Sequence, residues 1–185
     1  MSLHADAMST LASYDPVDAH QARLRTEFLG LLDAREDAVW RSCAPDHLTA
    51  GAVVLDVERR AVLLVLHGKV KRWLQPGGHC EPGDATLAAA ALREATEETG
   101  VEGLELVPGV LDLDRHRAPC RPGDIEHHLD VRHLLLAPAG ARPVVSPESL
   151  DVRWFGWDAL PDDIEPSIVR MVTAARARLD LAHPS

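Results

Sequence analysis

The chain has 185 residues and a formal net charge of −10, from 19 Lys and Arg against 29 Asp and Glu. That length suits one domain with an appended segment, and that charge argues against a nucleic-acid polymer or an anionic membrane as partner, since both need a basic surface. No apolar run approaches the roughly 20 residues of a membrane span, and the N-terminus lacks a signal-peptide core, so no membrane partner is expected.

Taken in order, Met1 to Asp15 is small, polar and without periodicity, and is expected to be mobile. From Val17 to Ala34, Leu24, Phe28, Leu31 and Leu32 recur at helical spacing between charged residues, which predicts an amphipathic helix. Pro45 marks the end of this leader, and residues 1–47 are expected to form a tail and helix attached to a domain over 48–185. Packing on the domain, a homodimer contact and a substrate lid are all open roles for that helix. Thr49 to Asp56 and Ala61 to Leu66 are β-branched or apolar runs around the charged turn Val57-Glu58-Arg59-Arg60 and read as a hairpin. Trp73, just before a proline and two glycines, suits either half-buried packing or stacking on a base.

The stretch Gly77 to Val101 carries the densest chemistry. Pro76, Gly77, Gly78, Pro82 and Gly83 make its first part a turn. Asp84 is expected to cap a helix whose apolar arc is Leu87, Ala88, Ala91, Leu92 and Ala95, and Gly100 ends it. On that helix Glu94 and Glu98 lie one above the other, with Glu97 beside them. Their carboxylates repel one another and stand at the C-terminal end, where the helix dipole favours cations. Arg93 offsets only part of this. An oxygen-only donor set of this kind points to a hard divalent ion, Mg²⁺ or Mn²⁺.

Beyond it, Leu104 to Leu113 reads as a strand region broken by Pro108-Gly109, and Asp114 to Asp124 as a long loop. Arg115, Arg117 and Arg121 of that loop are candidates for holding phosphate oxygens in an otherwise acidic protein. His127 to Ala137 reads as a strand with His128, Asp130 and Arg132 on one face, either a solvated edge or the floor of a polar cleft, and the cleft reading makes Arg132 a substrate-binding candidate. A metal set of His127, His128 and His133 is not supported, because neighbours on a strand point to opposite faces. A loop at Pro147-Glu148-Ser149 precedes a strand over Val152 to Phe155, and Ile164 to Leu181 reads as a closing helix with Ile168, Val169, Val172, Ala175 and Leu179 on its apolar side. The widely spaced cysteines Cys43, Cys80 and Cys120 form no disulfide or zinc pattern and suit a reducing cytoplasm.

Gly78, Arg93, Glu94, Ala95, Glu97, Glu98, Gly100 and Val101 stand at the spacing of a known signature, and the stretch resembles that of the Nudix hydrolases. Two departures are visible: Asp84 replaces the signature's early Glu, and eight residues rather than seven separate it from Arg93. The resemblance implies an α/β/α sandwich around a mixed sheet, with an N-terminal helical extension. It also implies Mg²⁺-dependent cleavage of a phosphoanhydride in a small nucleoside diphosphate derivative, the ion being held by Glu94, Glu97, Glu98 and the Gly77 carbonyl and the glutamates oriented by Arg93. Glu148, six residues before Trp154, matches a loop glutamate that in the family acts as a further ligand or general base. The family's dinucleoside-polyphosphate subgroup tends to carry a tyrosine downstream of the signature, and the only tyrosine here, Tyr14, lies upstream. A noncatalytic nucleotide sensor and a diphosphate isomerase using a cysteine are the alternatives.

Overall fold

The computed structural model describes residues 2–58, 60–118 and 127–182. Among these residues four α-helices, α1 (Leu3–Ser13), α2 (Ala19–Ala34), α3 (Leu87–Thr99) and α4 (Pro166–Ala182), flank seven strands: β1 (Asp46–Asp56), β2 (Ala61–His67), β3 (Trp73–Leu74), β4 (Gly77–His79), β5 (Glu105–Arg117), β6 (His127–Leu136) and β7 (Ser149–Gly156), with a 3₁₀ turn at Glu36–Val39. The expectation of a mobile N-terminus is corrected. Ser2 accepts the Ala5 N–H at 3.2 Å, and Leu3, Ala7 and Leu11, each one turn from the next, bury a single narrow stripe. Three apolar residues among small polar ones make only a weak periodic signal in the sequence. The second helix begins at Ala19, with Asp18 accepting the Gln21 N–H at 2.8 Å, and leaves Val17 exposed.

Gln21 fastens this extension to the sheet. Its side chain donates to the Leu113 carbonyl at 2.9 Å and accepts the Leu113 N–H at 2.8 Å, as a strand neighbour would, and it also accepts from the buried Tyr14 hydroxyl at 2.8 Å. The burial of a polar side chain is offset because each of these groups has its partner.

β1 is the hub of a mixed sheet of order β3-β2-β1-β6-β5, with β4 beside β1 and β7 beside β2. It runs antiparallel to β2 and β4 and parallel to β6, the latter from Asp46↔His127 to Leu55↔Leu136. Side chains alternate between faces, so Leu48, Ala50, Ala52 and Val54 join a core with α1, α2 and α3, while Val53 and Leu55 join a second core with Ile168, Met171, Val172 and Ala175 of α4. Helices thus cover both faces, which is the α/β/α arrangement. The α4 face is apolar only over part of the sheet. Towards the N-terminal end of β1 the same face carries His47, Thr49 and Gly51, next to His128, Asp130 and Arg132 of β6.

Two further expectations change. Pro108-Gly109 does not break β5 but makes a bulge, with register shifts around Val107 and Val110, after which pairing with β6 resumes from Asp112↔Arg132 to Arg117↔His127. Asp114 to Arg117 therefore lie in a strand, not a loop; Cys120 and Arg121 fall outside the described residues. On α4, Met171 rather than Val169 completes the buried stripe, and Val169 is exposed. Among the described residues no helix is long and apolar enough to cross a membrane.

Replacing Gln21 by Ala strands both polar groups of Leu113 in the interior, and is expected to lower the unfolding free energy by about 2–4 kcal/mol. Urea denaturation checks this; a loss below about 0.5 kcal/mol, the scale of a surface change, would mean that the clip is not structural.

Candidate active site

The helix α3 starts two residues later than expected. Thr86, not Asp84, is its N-cap and accepts the Ala89 N–H at 3.0 Å, while Asp6 of α1 accepts the Leu87 N–H at 2.9 Å. The N-terminal extension thus places a carboxylate at the positive end of the dipole. At the other end Gly100 adopts φ +64° and returns its N–H to the Thr96 carbonyl at 2.8 Å, a left-handed cap that favours glycine.

Released from capping, Asp84 serves Arg93. The guanidinium donates to both Asp84 oxygens, Nε to Oδ1 at 3.0 Å and Nη2 to Oδ2 at 2.9 Å. Nη1 then reaches Glu94 at 3.0 Å and Glu97 at 3.1 Å, and Nη2 the His79 carbonyl at 3.1 Å. One planar fork ties the turn, β4 and two of the three glutamates together. The Asp84 hydrogen bonds hold Arg93 well above its ordinary value. Burial alone would raise Asp84, but the bonds from Arg93 and from the Glu81 N–H keep it below its ordinary value.

Glu98 stands apart from this fork. Its carboxylate accepts the Gly77 N–H at 3.0 Å, and burial, with Glu94, Glu148 and Glu97 nearby, pushes it up to about 7. Glu94 is also raised by burial, against the pull of Arg93. Gly78 lies directly under Glu94: a Cβ there would stand 2.7 Å from its carboxylate, so a larger residue would push into the space the acid occupies. Glu148 is exposed in the loop before β7, near enough for its charge to raise Glu98. The structure therefore brings Gly77, Arg93, Glu94, Glu97, Glu98 and Glu148 to one region.

The other candidates lie differently. Arg132 is enclosed on the α4 side of the sheet, 2% exposed, and donates to Asp130 at 2.8 Å, Asp114 at 3.1 Å and Asp112 at 3.3 Å; Arg170 of α4 shares the last two. Trp73 is half-buried, edge-on to Phe155 with ring centroids 4.8 Å apart, and 5.8 Å from the Arg153 guanidinium. Arg117 is exposed at the end of β5. Cys80 is buried, and burial pushes its thiol up to about 12, which makes it a poor nucleophile.

Spacing along the chain did not reveal a set of histidines. The imidazoles of His47, His79 and His128 each offer a nitrogen, and these nitrogens lie within 4.8 Å of one another. Burial and the neighbouring rings lower His79 to about 4 and His128 to about 3, so both are neutral near pH 7. Only the register of β1 with β4 and β6 unites residues so far apart in sequence.

A model of the NUDIX domain matches residues 45–174. The chain belongs to the Nudix family. Solved structures similar to this Nudix domain include a NUDIX-family hydrolase from Clostridium perfringens, 25% identical over 74% of this chain and 98% of that one, with a TM-score of 0.55. A C. elegans Ap4A hydrolase in a binary complex is 20% identical over 71% of this chain and 96% of that one, with a TM-score of 0.59. A UDP-X diphosphatase is 17% identical over 95% of this chain and 91% of that one, with a TM-score of 0.56.

A carboxyl raised in the folded state adds stability below its unfolded value, near 4.5 for Glu98, and loses that contribution as pH rises through its folded value of about 7. With chelator present at about pH 8, Glu98→Gln is therefore expected to melt about 2–4 °C above the parent, and the gain should vanish near pH 5. A lower melting point at pH 8 would show that the ionised carboxylate stabilises the fold.

Proposed function

We propose that this Nudix domain hydrolyses the phosphoanhydride of a nucleoside diphosphate linked to another moiety, with Mg²⁺ as the ion and Mn²⁺ as a substitute. The observation that carries the reading is the Arg93 fork, which holds Glu94 and Glu97 beside Glu98 and the two glycines of β4. Glutamate oxygens and a backbone carbonyl suit a hard cation, and Gly78 leaves clear the space that a Cβ would take beside Glu94. Glu94, Glu97, Glu98 and the Gly77 carbonyl would hold such an ion. When bound, it neutralises the charge of two adjacent phosphates and makes a bound water more acidic.

The chain's own groups supply the rest. Arg93 orients Glu94 and Glu97 and has no donor directed at substrate in this arrangement. Glu148, exposed and close to Glu98, is the candidate to accept a proton from the attacking water. The half-buried Trp73 and the exposed Arg117 are the candidate contacts to the base and the phosphates, whereas the enclosed Arg132 fixes Asp112, Asp114 and Asp130. A sensor lacks a reason for the complete glutamate set, and an isomerase would need a reactive cysteine, which the buried Cys80 does not offer. Tyr14 is likewise buried and hydrogen-bonded to Gln21, away from any role on a dinucleotide. The free thiols of Cys43 and Cys80 suit the reducing cytoplasm as its location.

A panel of nucleoside diphosphate sugars, dinucleoside polyphosphates and nucleoside triphosphates, assayed with Mg²⁺ and Mn²⁺ for release of phosphate or nucleoside monophosphate, identifies the substrate. On the best substrate Glu98→Gln is expected to lower kcat/KM by at least about 100-fold, with an unchanged circular dichroism spectrum. Near-parental turnover by this variant would contradict the assignment.

A further inference from the structure

We propose that His47, His79 and His128 form a site for a divalent transition metal, zinc by its donor set, separate from the glutamates carried by α3. Ring centroids are 5.1 Å apart for His47 and His79, 5.0 Å for His47 and His128, and 4.9 Å for His79 and His128, close to an equilateral triangle. The three come from different strands. The parallel register sets His47 opposite His128, and the antiparallel register sets His79 opposite Thr49, one same-face position along β1 from His47.

The ligand nitrogens lie within 4.8 Å of one another. Tetrahedral zinc with Zn–N bonds of about 2.0–2.1 Å separates its nitrogens by about 3.4 Å, so small rotations of the rings close the site. The tautomer of the most buried member suits this role. His47 Nδ1 lies 3.0 Å from the Cys43 carbonyl, which can only accept, so Nδ1 carries the proton and Nε2 is the nitrogen that presents a lone pair. Such a bond from the non-ligating nitrogen to a carbonyl is how metal-binding imidazoles are commonly held. His116 lies next to this set, its ring 5.4 Å from that of His128 and its Nδ1 3.1 Å from the Asp114 carboxylate. The surrounding charge is mixed: Asp130 acts on His128, while Arg41 and Lys69 act on His79.

Imidazole is a donor for zinc, copper or nickel and not for Mg²⁺, so the two sites take different ions. Occupancy would join β4 to β1 and β6. Since β4 also carries Gly77, whose N–H binds Glu98, and the His79 carbonyl that binds Arg93, the ion would stiffen the loop on which the glutamates rest.

The test uses the full chain, stripped with chelator, dialysed, and titrated with Co²⁺ in excess Mg²⁺, reading the visible absorption of cobalt in a low-coordinate nitrogen site. About one equivalent is expected to bind, to be displaced by Zn²⁺, and to raise the melting point. His128→Gln and His79→Asn should each weaken binding by at least about 100-fold, since even a group that only orients a ligand is worth roughly 10- to 100-fold. Glu98→Gln should leave the cobalt spectrum unchanged. Absence of the bands in the parent, their survival in a folded His128→Gln or His79→Asn variant, or their loss in Glu98→Gln would each overturn the site. Circular dichroism of the stripped variants establishes folding, and the partly exposed His79 on its short strand provides the second variant should His128→Gln fail to fold.

Discussion

The fork between Arg93 and Asp84 is the interaction on which the rest of the site depends. Three glutamates at the C-terminal end of a helix oppose the dipole and one another, and two of them are raised by burial. A lysine could neutralise one neighbour, but only a planar guanidinium can hold both oxygens of Asp84 and still reach Glu94, Glu97 and the His79 carbonyl. The shorter aspartate and the additional residue before Arg93 are accommodated together. The helix begins at Thr86, so Asp84 sits in the preceding turn and approaches Arg93 from outside the first helical turn.

That fork would have little to act on without the sheet beneath it. β1 pairs with three strands, one of them the short β4 whose Gly77 and Gly78 lie against Glu98 and Glu94. The N-terminal helices are part of the same construction. Gln21 binds β5, Asp6 binds the start of α3, and Leu3, Ala7, Leu11 and Phe28 share a core with Ala90, Ala91 and Ala95 of α3. The position of the signature helix is therefore set by the sheet and the N-terminal helices together.

The helix α3 and its acidic edge were legible because a 3.6-residue period converts spacing directly into a face. The role of Asp84 was not, since Asp and Thr are both good caps and nothing local decides between positions 84 and 86. Pro108-Gly109 read as a break because local turn chemistry says so, yet ten residues of antiparallel partner on β6 restored the pairing across a bulge. Arg132 read as part of the floor of a polar cleft because alternation identifies a face but not what encloses it; Asp112, Asp114 and Arg170 come from β5 and α4. His47 and His79 are remote from His128 in sequence, and their meeting depends on strand order, which no linear pattern contains.

We propose that Arg93, anchored by Asp84, prepares the glutamates for a divalent cation. This is tested most directly by the affinity for Mn²⁺, read from the paramagnetic resonance signal of the free ion, in the parent and in Asp84→Asn. The variant is expected to remain folded and to bind Mn²⁺ about 10- to 100-fold more weakly, the scale of loss when a group that orients metal ligands is removed. An unchanged affinity in a folded Asp84→Asn protein would contradict it.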